Sequence, residues 1–80
     1  MKLIAIRDVK IEYSSPMQFH SNEVAVREIA QYVNDNSQKT IFNHNIDDKE
    51  LWCLGEYNTQ TGVIVSEPKM IIALRDLKEN

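Results

Sequence analysis

The feature that most constrains this chain is an imbalance between one helical apolar stripe and two extended segments that are apolar on both sides. In residues 23–34 (EVAVREIAQYVN), Val26, Ile29, Ala30 and Val33 recur at i, i+3, i+4 and i+7, the spacing that lines one face of a helix. Ser21 or Asn22 can cap its start, Glu23 suits the positive end of the dipole, and Asn34 to Ser37 stop it. Residues 2–13 (KLIAIRDVKIEY) read instead as a strand, rich in residues that favour a pleated surface. Leu3, Ala5, Val9, Ile11 and Tyr13 share one parity, interrupted by Arg7; Ile4 and Ile6 take the other, followed by Asp8, Lys10 and Glu12. Residues 50–58 (ELWCLGEYN) form a second strand whose Leu51-Trp52-Cys53-Leu54 is again apolar on both sides. One helix covers one face of a sheet, so the other face needs a cover: the C-terminal segment or a second subunit.

The remaining segments complete the plan. Ser14-Ser15-Pro16 ends the first strand, because Pro lacks the ladder donor. Residues 17–22 read as a loop anchored by Met17 and Phe19, and residues 37–49 as a surface loop with an extended piece at 40–42. Asn58 to Gly62 has the form of a hairpin connection, with Gly62 where positive φ is wanted. Residues 63–66 return as a strand that Pro68 breaks, and the tail reads as extended over 69–72, then helical. The expected architecture is α+β: an antiparallel sheet of about three strands with one helix on one face, in one domain spanning residues 1–80.

Charge and composition narrow the function classes. The 80 residues carry a net charge of −3, which weighs against a dedicated duplex-DNA binder but leaves room for a local basic patch. The single cysteine, Cys53, forms no internal disulfide and no multi-cysteine zinc site, and points to a reducing cytoplasm. No apolar run approaches the roughly 20 residues that cross a bilayer, so no membrane role is expected.

Nothing in the chain meets the first requirements of a catalytic site. His20 and His44 stand in separate loops without the spaced ligands a metal needs. Asp47, Asp48 and Glu50 read as a charge run at a strand start, and Cys53 as a buried inert thiol. Gly55, inside a strand pattern, marks a local twist, a bulge or a close approach of another backbone. No enzyme activity, cofactor, metal site or catalytic residue is expected. The nine basic residues are scattered; Arg7, Lys10, Arg27, Lys39 and Arg75 are the candidates for nucleic-acid contact. Tyr13, Phe19, Tyr32, Phe42, Trp52 and Tyr57 are either core or stacking platforms for unpaired bases. Ile4, Ile6, Trp52 and Leu54 are the candidates for the interface of a homodimer, since they would otherwise form an exposed apolar patch.

The order of motifs resembles a small nonstructural protein of gokushoviruses, members of the Microviridae, which are icosahedral single-stranded-DNA phages. The resemblance is carried by Pro16-Met17-Gln18-Phe19, Ala25-Val26-Arg27-Glu28-Ile29 and Val33-Asn34-Asp35. It is stronger in His44, Leu51-Trp52, Leu54-Gly55-Glu56-Tyr57-Asn58 and Thr61-Gly62. Departures are Asn45 where the family has Pro, Met17 for an aromatic, Asn58 for Asp, and one extra residue between His44 and Leu51. The resemblance implies an accessory role in phage DNA replication, or in the switch to single-strand synthesis and packaging, with single-stranded DNA or phage replication and packaging proteins as partners. The alternative is an adaptor that binds a host or phage protein without touching DNA.

Overall fold

The computed structural model describes residues 1–79. The element order is β1 (Lys2–Asp8), β2 (Met17–Phe19), α1 (Asn22–Val33), a 3-10 turn (Ile46–Asp48), β3 (Lys49–Tyr57), β4 (Ile64–Ala73) and a second 3-10 turn (Leu74–Leu77). The strands form one antiparallel sheet in the order β2-β1-β3-β4, with α1 on one face. The α+β expectation holds, with four strands rather than about three.

The helix forms where its stripe predicts. Ser21 Oγ accepts from the Val24 N–H at 3.1 Å, which satisfies one of the free N-terminal donors. Ala25, Ile29 and Val33 are buried on the side that meets Ile4, Ile6, Leu51, Cys53 and Leu74, with Val26 partly buried against the same cluster. Asn34 ends the helix and fastens the C-terminal segment to it. Its side-chain amide donates to the carbonyls of Ala30 (2.8 Å) and Leu77 (2.9 Å), and its Oδ1 accepts from the Glu79 N–H at 2.7 Å.

Several expectations are corrected. Strand β1 stops at Asp8, because the chain turns at residues 9–12: the Asp8 N–H donates to the Glu12 carbonyl at 2.9 Å. Met17 to Phe19 is strand rather than loop, paired with Lys2 to Ile4. The segment 40–42 is turn, not extended; the Thr40 N–H donates to Asn43 Oδ1 at 2.8 Å. Strand β4 continues past Pro68, which with Glu67 has no cross-strand partner where the β3–β4 register shifts between Cys53–Lys69 and Gly55–Ser66; an irregularity in an edge strand is where a residue without an N–H is tolerated. The C-terminal segment does not cover the second sheet face. Leu74 is buried in the helix-side cluster, and Ile71, Ile72 and Leu77 pack against it.

The second face is therefore left without a covering layer, and the four apolar residues assigned to a dimer contact divide between the faces. Ile4 and Ile6 are 0% and 2% exposed, under the helix. Trp52 is the cross-strand partner of Ala5, out of phase with Ile4 and Ile6. Leu54 is the extra residue of a bulge, since Leu3 pairs with Gly55 while Ile4 pairs with Cys53. Both parities of β1 are apolar, so alternation alone could not say which one the helix takes.

Candidate nucleic-acid interface

The uncovered face carries one organised cluster: Arg7, Tyr13, Glu50 and Trp52. The sheet register builds it. Arg7 lies opposite Glu50 on β3, one step from the Ala5–Trp52 pair. The turn after β1 brings Tyr13 back to bridge with Arg7 on the other side. That return is pinned by Ser14, whose N–H donates to the Ile6 carbonyl at 2.7 Å and whose Oγ accepts from the Ile6 N–H at 2.9 Å.

Within the cluster the rings of Tyr13 and Trp52 meet edge to face, with centroids 5.8 Å apart and planes at 86°. The Arg7 guanidinium lies 5.7 Å from the Tyr13 centroid and 5.4 Å from that of Trp52, inside the range of cation–π attraction. Glu50 Oε1 accepts from Trp52 Nε1 at 3.0 Å and lies 3.6 Å from Arg7. One carboxylate thus fixes both the indole and the guanidinium. Ala5 is fully buried although it stands apart from the helix-side cluster. Tyr13 remains 41% exposed, which leaves ring surface on which a planar group can stack.

The cations divide by layer. Four of the sheet and its turns are matched: Lys2 with Glu56 (2.9 Å), Arg7 with Glu50 (3.6 Å), Lys10 with Asp48 (3.3 Å) and Lys69 with Glu67 (3.0 Å); Lys49, at the start of β3, instead donates to the Ile41 carbonyl. The hydrogen bond and charge of Glu56 hold the Lys2 ammonium above its ordinary pKa; reciprocally, Lys2 holds Glu56 below the usual carboxylate range. Arg27 on α1, Lys39 in the following loop, Arg75 in the second 3-10 turn and Lys78 just after it have no carboxylate within 4.0 Å among the described residues. Lys39 and Lys78 share one surface hollow. Of the five cations proposed from sequence, Arg7 and Lys10 belong to the neutralised layer, and Arg27, Lys39 and Arg75 to the unmatched one. The fold does not gather the five on one face. Sequence reasoning missed Glu50 as the organiser, because only the register places it between Arg7 and Trp52.

Other chemistry is sparse. Among the described residues no three His, Cys, Asp or Glu side chains form a set that could hold a metal ion. Cys53 is buried, its Sγ 3.7 Å from the Gly55 carbonyl oxygen. No helix among the described residues is long and apolar enough to cross a membrane.

Comparison with curated proteins and with solved structures gives no match. A family model described as Phage ORF5 protein matches residues 1–77. With nearly its whole length covered, the chain belongs to the Phage ORF5 protein family and is a small phage accessory protein.

Proposed function

We propose that this protein acts without catalysis in the cytoplasm of the infected host, binding single-stranded DNA of a small gokushovirus-like phage during replication or the switch to single-strand synthesis and packaging. The observation that carries the reading is the Arg7–Tyr13–Trp52 cluster on an uncovered sheet face. Open sheets bearing aromatic rings are a recurrent platform for unpaired bases, each of which has a π-face to stack. The unmatched cations of the helical layer supply attraction for phosphates.

The acidic total charge and Glu50 set the expected strength. Binding is weak, tolerant of sequence, and falls steeply with salt as counterions are released. Fluorescence polarisation of a labelled oligonucleotide at low and moderate salt tests it, with Trp52 emission as a second signal of stacking. No binding at high micromolar protein in low salt refutes the reading.

The second reading is an adaptor that binds a host or phage protein. It is favoured by the pairing of Lys2, Arg7, Lys10 and Lys69, four cations of the sheet and its turns, with carboxylates. Pull-down from nuclease-treated lysate separates the two: partners lost with the nucleic acid support DNA binding, and partners retained support the adaptor.

A further inference from the structure

Lys49 opens β3 with its side chain on the helix side of the sheet, and it is 8% exposed, buried like the core around it. Its ammonium donates to the Ile41 carbonyl at 2.8 Å. An ammonium has three donors, and no carboxylate lies within 4.0 Å of this one among the described residues. Its cross-strand neighbour is Asp8, but Asp8 Oδ1 accepts from the Lys10 N–H at 3.0 Å instead. A buried charge in this state is costly unless an anion completes its shell.

Lys49 lines a cleft of about 400 Å³ between the turn after β1 and the loop before β3, a size within the roughly 300–1,000 Å³ range of small-ligand sites. Ile6, Ile11 and Ile41 make its walls apolar. Ile11 is 77% and Ile41 50% exposed, so the rim presents hydrocarbon to any arriving molecule. Asp8 and Glu12 also line it. Their charges oppose any anion, a dianionic phosphate or a nucleic-acid backbone more strongly than a single carboxylate, so the buried ammonium best suits one carboxylate carried on an apolar body.

We propose that this cleft binds the C-terminal residue of a partner polypeptide, with its carboxylate on the Lys49 ammonium and its apolar side chain between Ile11 and Ile41. A chain end fits better than an internal Asp or Glu, because carboxylate and side chain leave the same carbon, as ammonium and isoleucine walls adjoin here. The site opens on the helix side of the sheet; Tyr13 borders both this cleft and the Arg7–Tyr13–Trp52 cluster, but the carboxylate contact rests on Lys49 and the apolar contact on Ile11 and Ile41, so the site stands whether or not that cluster binds DNA.

The test is amide NMR titration of the ¹⁵N-labelled chain with N-acetyl-leucine, N-acetyl-leucinamide, octanoate and thymidine monophosphate. N-acetyl-leucine is expected to shift the amides of Ile11, Ile41, His44 and Lys49 saturably, with a Kd of about 1 mM. The uncharged amide should bind roughly tenfold more weakly. Lys49→Met should abolish the response while the spectrum stays dispersed. If that variant unfolds, the exposed Ile41→Ser, which keeps the ammonium, should weaken N-acetyl-leucine binding in a folded chain. Equal binding of the acid and its amide overturns the proposal, as does any response confined to residues outside the cleft. Tighter binding of octanoate would make the ligand a fatty anion, and tighter binding of the nucleotide would make it nucleic acid; each overturns the assignment to a polypeptide chain end.

Discussion

Replacing Gly55 with alanine is expected to come close to unfolding this domain, while the same change at Gly62 is not. Gly55 has φ +149°, and a Cβ built on it would sit 2.0 Å from the Val65 carbonyl oxygen and 3.0 Å from the Val65 carbonyl carbon. Real Cβ atoms keep at least 3.0 Å from such an oxygen, so β3 and β4 would have to part by about 1 Å or more at the Glu56–Val65 pairing. Backbone strain at such a φ costs about 1–3 kcal/mol. Two ladder bonds stretched beyond use add about 0.5–1.5 kcal/mol each, giving a total of roughly 2–6 kcal/mol. An 80-residue domain has only roughly 4–12 kcal/mol in all. Gly62 also has positive φ, +79°, but its Cβ would meet nothing within 4 Å. Gly62→Ala should therefore lose only the left-handed penalty, about 1–2 kcal/mol. Urea unfolding followed by Trp52 fluorescence measures both; with a slope of about 1 kcal/mol per molar urea, the central values of the two losses separate the midpoints by about 2 M. A Gly55→Ala variant within about 1 kcal/mol of the parent, or equal to Gly62→Ala, would refute the close approach of β3 and β4.

Four further outcomes are expected. Ile29→Ala, at a residue 1% exposed in the helix-side cluster, should lose about 2–5 kcal/mol in urea unfolding, and a loss under about 0.5 kcal/mol would place the wrong helix face inward. Glu50→Gln keeps an acceptor for Trp52 but frees the Arg7 charge; single-stranded DNA affinity at low salt should rise, with the salt slope steeper by about 0.7, one phosphate's worth, and an unchanged slope would take Arg7 out of the interface. Because Lys2 lowers the Glu56 pKa in the fold, that pair stabilises the protein above the ordinary carboxylate range and loses its effect as pH falls through the lowered value; the Glu56 carboxyl titration should move upward in Lys2→Met, and a stationary midpoint would deny the pairing. The uncovered sheet face is expected to pair with that of a second copy, and sedimentation equilibrium at tens of micromolar should show a dimer; a mass near 9.3 kDa would make the chain a monomer.

What the sequence shows and what it hides follow from range. The helix is legible because its stripe at 26, 29, 30 and 33 is a local pattern, and its cap at Ser21 is a local bond. The hairpin at Asn58 to Gly62 is legible for the same reason: the Gly62 N–H donates to the Asn58 carbonyl at 2.8 Å. Strand β2 is hidden because three residues, Met17 to Phe19, are too few to show alternation and gain their form only from pairing with β1. The facing of β1 is hidden because Leu3 and Ala5 are as apolar as Ile4 and Ile6; only the partner strand and helix choose between them. The candidate interface was legible as a list of residue types and not as a place. Arg7, Tyr13 and Trp52 stood among the candidate cations and aromatics, but their meeting depends on the turn at residues 9–12 and on register with β3. Lys49 is the clearest case of concealment, since a lysine after two aspartates reads as solvated charge until the loop closes over it.

Pro68 in the outer strand has a consequence separate from stability. Val63, Ile64 and Val65 are 57–60% exposed on the free margin of the sheet, and such a margin is a template onto which further molecules can zip, one after another, into a fibre. Pro68 offers no N–H to that process, and the charged Glu67 and Lys69 on either side discourage dry stacking. The template is therefore cut to a few residues. Colloidal lifetime is expected to depend on this short rim segment separately from folding, so a variant at Pro68 can melt at the parent's temperature and still precipitate on storage.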